Sequence, residues 1–266
     1  MSNKTQHLDL ENIDKSFEEV QSLINKVTKT FERVTFLYMG RKTSVHDLKK
    51  FEKYLELRNL IDYRLYCILY HLTFLLDIQL RFQDRIDKDP FDDEERIKGM
   101  ILGREQCLAL FDSIIFHANS MYDYLANLIE YLYGNKYSHN KKWNGLLNSI
   151  KSNSIQIELP LRNLLIDVHN TFINKLYGYR SDVIHRKADS SKSECSIDLN
   201  NNSTKLRFGA PKKFCKIFFD LKKLSSNYQL SINYVTIWLI KKCFDIVDDI
   251  LKTIIQLEEL NNDSRI

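Results

Sequence analysis

Only 7 glycines and 3 prolines occur in this chain of 266 residues. These two residue types break helices, glycine through backbone entropy and proline through its ring and missing N–H. A chain so poor in both is expected to form few, long helices. Apolar spacing carries the same expectation residue by residue. Ile13, Phe17, Val20, Ile24, Val27, Phe31, Val34 and Tyr38 recur at alternating steps of four and three, along one stripe of a helix. Gly40 would end that helix. Ser44 with Asp47 reads as an N-terminal cap of the next helix or helix pair, which runs to about Ile86. Its middle, Leu60 to Leu76, is apolar on most sides and is expected at the centre of a bundle.

Asp89-Pro90 marks the next boundary, with Asp92, Asp93, Glu94 and Glu95 complementing the positive end of a helix dipole. One seam then joins Ile97, Ile101, Leu108, Phe111, Ile115, Ala118, Tyr122, Leu125, Ile129 and Leu132, and Gly134 closes it. Such a helix spans roughly 60 Å and needs neighbours along its length, either its own or a second copy's. A short amphipathic piece follows around Leu146 to Ile150. Pro160 opens a helical stretch to about Lys187. Residues 188–203 are rich in serine and asparagine, with Ser196–Leu199 and Thr204–Phe208 placed to pair as a small hairpin. Pro211 starts the last block, whose final helix turns Ile240, Phe244, Val247, Leu251 and Ile254 inward and Lys241, Asp245, Asp248 and Lys252 outward. The expected fold is all-α, an elongated helical bundle with a small loop or hairpin insertion near residues 188–210. Its expected organisation is an N-terminal helical extension, 1–90, and a helical domain, 91–266.

Hydrophobic residues at 44% and charged residues at 28% are enough for a real core, and the net charge of +4 permits contact with a polyanion without demanding one. The five cysteines are scattered, odd in number and form no CxxC pair, which fits free thiols in a reducing compartment. The start of the chain is polar and unlike a signal peptide. The most apolar stretch, Tyr66 to Ile78, is shorter than a membrane span requires and contains His71. A cytoplasmic protein without membrane contact is expected. No glycine-rich phosphate loop, paired zinc ligands or nucleophile elbow is present, so no cofactor and no metal are expected.

The chemically suggestive segment is Tyr177-Gly178-Tyr179-Arg180-Ser181-Asp182-Val183-Ile184-His185-Arg186-Lys187. Arginine followed by histidine after four to six residues occurs in four places: Arg41/His46, Arg64/His71, Arg162/His169 and Arg180/His185. Random placement would give about one. Arg41/His46 straddles a helix boundary and Arg64/His71 lies in the most apolar helix. Arg162/His169 follows Pro160 and has Asn163 after the arginine, which makes it the serious rival. Arg180/His185 stands out because its surroundings are aromatic, basic and at a helix end beside a loop. On a regular helix Tyr177, Ser181 and His185 stack on one face. Arg180 lies about 140° around the axis from His185. The two converge only through the length of arginine, a helix end between them, or a second copy. The plain counterpart is dipole complementation: cations suit a helix C-terminus, and tyrosines pack.

Arginine, a polar residue directly after it, and histidine after four residues resemble the signature of the HEPN superfamily. The resemblance covers roughly Asp92 to Leu260, and the stretch Phe116 to Leu125 looks more loosely like the first long helix of such domains. It implies a helical bundle, commonly dimeric, of a kind that includes many metal-independent ribonucleases in toxin–antitoxin and antiviral systems. On that basis Arg180, His185 and Ser181 would be catalytic, and Tyr177, Tyr179, Arg186 and Lys187 would bind substrate. An imidazole, with an ordinary pKa of about 6.5, exchanges protons at neutral pH. A guanidinium holds a phosphate by paired hydrogen bonds. The implied partners are single-stranded RNA, a second copy of the chain and an antitoxin or other partner protein. Some family members carry a modified tyrosine two residues after the histidine, where this chain has Lys187. The alternative is a non-catalytic helical module that binds a nucleotide, RNA or a protein partner.

Overall fold

The computed structural model describes residues 6–39, 45–88, 93–134, 142–185, 195–200 and 203–263. It is an all-α protein with a small amount of strand. In chain order, β1 is Gln6–Leu8, α1 Ile13–Met39, α2 Val45–Lys88, α3 Asp93–Tyr133 and α4 Trp143–Lys151. Then come α5, Leu159–Val168, a π-helical turn, His169–Ile173, and α6, Asn174–His185. After these follow β2, Cys195–Asn200, β3, Ser203–Phe208, α7, Lys212–Ile217, α8, Phe219–Ser225, β4, Tyr228–Leu230, and α9, Ile232–Asp263. The helix expected to Ile86 is one continuous element of 44 residues, not a pair. The expected ends at Gly40, Ser44 and Asp89-Pro90 lie outside the described residues.

Two compact units divide the chain. The first comprises 1–20, 68–116 and 175–240, and the second 21–67, 117–174 and 241–266. A long helix serves more than one cluster of neighbours, so its sequence carries no mark of the division.

In the first unit the core gathers Leu72 and Leu75 of α2, Phe111 and Ile114 of α3, Leu206 and Phe208 of β3, and Phe214 and Leu221 of the short helices. Phe214 meets Phe111 edge-on, with ring centroids 5.0 Å apart. The expected hairpin is present: β2 and β3 pair antiparallel with Ile197 opposite Leu206. Strands β1 and β4 add a parallel pair that composition did not indicate, with Leu8 opposite Leu230. Ser231 continues it, donating its hydroxyl to Asp9 Oδ1 at 2.6 Å and accepting the Tyr234 N–H at 3.1 Å, which caps the start of α9.

The second unit is built on the α1 stripe. Ile24, Val27, Phe31 and Val34 are all buried, as their spacing requires, and Phe244, Val247 and Leu251 of α9 are buried in the same unit. Trp143, the first residue of α4, is fully buried, and its backbone N–H donates to Asp123 Oδ1 at 2.9 Å. A carboxylate from α3 thus caps a helix whose own N-cap, Lys142, offers no side-chain bond. Asp248, expected on the outward face of α9, is instead 1% exposed. Three donors compensate its burial: Thr30 Oγ1 at 2.7 Å, Lys26 Nζ at 2.8 Å and Lys252 Nζ at 2.7 Å.

Helix α2 is less central than its composition implies. Leu65, Ile68, Leu72 and Leu75 are buried, but Tyr63, Tyr66, Tyr70 and Phe74 are exposed. By length and composition alone, Phe51–Asp87 is the one helical stretch among the described residues that could cross a membrane. Likewise the seam of α3 buries Phe111, Ile115, Ala118, Tyr122, Leu125 and Ile129, while Ile97 and Ile101 at its start face solvent.

Candidate functional site

Helix α6 carries the arginine–histidine segment and stays regular from Asn174 through His185, its last residue. The helix therefore does not end between Arg180 and His185. Positions 180 and 185 therefore lie about 140° apart around one helix. Arg180 is half-buried, and its guanidinium carbon lies 4.8 Å from the ring centroid of Phe116 on α3. The length of the arginine is spent toward α3. No carboxylate pairs with it among the described residues, and its Nε is buried without a hydrogen-bond partner there. A guanidinium with its face on a ring keeps its N–H edge for an acceptor.

Ser181 is exposed and Tyr177, one turn before it, is half-buried. Gly178 between the two tyrosines is exposed, and a Cβ there would meet nothing within 4 Å. Tyr179 departs from the expectation. It is 4% exposed and meets Phe214 edge-on at 5.0 Å between centroids. Its ring is core, packed on Phe214 of α7, and so it offers no surface for stacking a base. Asp182 is bonded to Lys213 of α7. The side chain of His185, and Arg186 and Lys187 altogether, lie outside the described residues.

Of the other arginine–histidine pairings, Arg41 lies outside the described residues. In the second unit Arg64 meets His117 of α3 rather than His71, with Arg64 Nη1 2.9 Å from His117 Nδ1. The rings of Tyr63 and Tyr124 lie 5.4 and 5.6 Å from the guanidinium carbon. A guanidinium can only donate, so His117 Nδ1 accepts and the ring proton sits on Nε2. Sequence spacing could not show this pair, because the two residues lie on different helices. His71 in the first unit is held below its ordinary pKa by burial. Arg162 reaches Asn153 Oδ1 at 3.4 Å, and His169 begins the π-helical turn. Phe116, the support of Arg180, lay inside the stretch that resembled the first HEPN helix but carried no signal of its own.

Among the described residues no group of three or more His, Cys, Asp or Glu side chains converges as a metal-ligand set. Fold and site together define an all-α protein that presents an arginine, braced by an aromatic ring, on a helix ending in histidine. Comparison with known proteins finds no matching family model, no matching curated protein and no matching solved structure.

Proposed function

We propose that this chain is a HEPN-type, metal-independent endoribonuclease that cuts single-stranded RNA as a homodimer, in a toxin–antitoxin or phage-defence setting. The observation that carries it is Arg180: a guanidinium braced on Phe116 and paired with no carboxylate among the described residues. A cation left in this state suits a phosphate, which two N–H groups can grip while charge builds on its oxygens. His185 takes the proton of a ribose 2′-hydroxyl, whose oxygen attacks the adjacent phosphorus. The bond to the 5′ oxygen breaks, leaving a cyclic phosphate, and a protonated imidazole of the second copy returns a proton to that oxygen. The regular course of α6 favours the dimer, since positions 180 and 185 lie about 140° apart around one unbroken helix.

The test is incubation of the purified protein with single-stranded RNA in EDTA. Wild type is expected to cut, and Arg180→Ala and His185→Ala to lose roughly 100-fold to 10,000-fold in rate. RNA left intact by wild type, or cut equally fast by His185→Ala, overturns the proposal. The burial of Tyr179 favours a second reading, a non-catalytic helical module that binds a nucleotide, RNA or a protein partner. It removes one of the surfaces on which a base would stack. Retention of RNA without cleavage would distinguish that module.

A further inference from the structure

Beside its apolar stripe, α1 carries a polar row at the same spacing. Ser22, Lys26, Lys29 and Arg33 follow at steps of four, three and four, so they share one face over roughly 16 Å of axis. In the second unit this row borders an open groove of about 660 Å³. Lys252 and Ile255 of α9 complete its lining, with Asn25 and Thr30 of α1. Four cations line the groove and no carboxylate does.

One buried carboxylate fixes the geometry beneath it. Lys26 Nζ and Lys252 Nζ bond the same atom, Asp248 Oδ2, at 2.8 and 2.7 Å, so the two nitrogens stand at most about 5.5 Å apart. A single phosphate, with several oxygens that each accept at about 2.8 Å, reaches both. Each ammonium has three donors and spends one on Asp248. Asp248 brings one negative charge to two positive ones, which leaves a surplus charge at close range. Asp245 adds a weaker pull on Lys26, and Glu259 pairs with Arg33 at 2.6 Å. Lys29, next along the row from Lys26, is exposed and has no partner among the described residues. The side chains of Ser22 and Asn25 have none there either. Cations gathered with too few carboxylates suit a bound anion. Among the described residues no aromatic ring lines the groove, so bases find nothing to stack on and contact runs through phosphates.

We propose that the groove between α1 and α9 binds phosphates in series, carried on a strand of RNA or on a free oligophosphate compound. Lys26 and Lys252 grip one phosphate, and Lys29 with the remaining N–H groups of Arg33 meets the next. This does not rest on cleavage at Arg180/His185, and either proposal can fail alone.

The test titrates the full-length protein into a fluorescently labelled 2′-O-methyl oligouridylate, which cannot undergo internal attack, and reads anisotropy. Calorimetric titration with inorganic tripolyphosphate is the second arm. Saturable binding is expected. Lys29→Glu should lower affinity about tenfold with an unchanged melting temperature, whereas Lys29→Arg should retain it. Lys29→Gln should reduce the slope of log affinity against log salt by roughly 0.7. Lys142 is an exposed lysine outside the groove. Lys142→Glu makes the same change in net charge and should stay within about twofold of wild type. Tighter binding of the oligonucleotide at equal ionic strength assigns the strand as the source, and equal or tighter binding of tripolyphosphate assigns the free compound. The proposal is overturned if neither ligand binds saturably, if Lys29→Glu binds as tightly as wild type, or if Lys142→Glu weakens binding as much.

Discussion

The Arg180 guanidinium lies over the ring of Phe116, 4.8 Å from its centroid, and joins α6 to α3 without an ion pair. Phe116 is 41% exposed, so its ring contributes little to the core and much to the direction of the arginine. A cation–π contact at such a site is worth about 0.5–1 kcal/mol. If Arg180 grips the scissile phosphate, Phe116→Leu should slow single-turnover RNA cleavage by roughly two- to fivefold and leave the melting temperature almost unchanged. A rate equal to wild type would show that the ring does not position the guanidinium.

Two glycines give a controlled comparison. A Cβ at Gly103 on α3 would stand 2.7 Å from Phe208 and 2.9 Å from Phe82, whereas one at Gly178 on α6 meets nothing within 4 Å. Alanine gains helix propensity of about 1 kcal/mol at both positions. Gly178→Ala should therefore raise stability by roughly that amount. Gly103→Ala carries the same gain but an overpacking cost of about 1–3 kcal/mol. Urea unfolding of the two variants should differ by at least about 1 kcal/mol, and equal midpoints would mean that the Phe82 and Phe208 rings yield freely.

The same physics decides which parts of the fold were legible. Where one side of a helix meets one neighbour, period alone finds the buried face, and Ile24, Val27, Phe31 and Val34 of α1 are buried as expected. Where an apolar residue has no neighbour, period misleads, as at Ile97 and Ile101 of α3. Asp248 was misplaced because a carboxylate is read as surface by type, whereas Thr30, Lys26 and Lys252 make its burial tolerable. The site was half visible. The order of α6 showed Arg180 beside a serine, but Phe116 is 64 positions away and joins it only through the packing of two helices. Tyr179 was misread because aromatic residues serve cores and bases alike, and only the position of Phe214 separates the two uses.

Asp112 of α3 is a carboxyl group whose burial pushes its pKa up to about 6. A raised folded-state pKa means that the folded chain prefers the proton. The favourable situation is complete below the unfolded pKa of about 3.9 and is lost as pH rises through about 6. Asp112→Asn keeps the shape and removes the charge. It should stabilise the protein by about 1–2 kcal/mol at pH 7.5, less than the full shift because the group keeps some contact with water. The gain should vanish near pH 4. Denaturation midpoints across that range check it, and a gain independent of pH would assign the effect to packing.

Asp248 predicts the opposite slope. Burial pushes its pKa up, but hydrogen bonds from Lys252, Lys26 and Thr30 outweigh that and hold it below the ordinary carboxylate range. A depressed folded-state pKa contributes stability that is full above the unfolded pKa and is lost as pH falls through the folded one. Asp248→Asn removes the charge that two ammonium groups converge on, and those groups, 47% and 48% exposed, return to water without further loss. The cost at pH 7 should be about 1–3 kcal/mol, the range for a buried charge-assisted bond set that loses its acceptor. The difference should shrink as pH falls below the ordinary carboxylate range, because the wild-type carboxyl takes up its own proton as pH passes its depressed pKa. Urea unfolding at pH 7 and pH 2.5 measures both ends. An undiminished difference at the acid end would place the contribution of Asp248 in its shape and not in its charge.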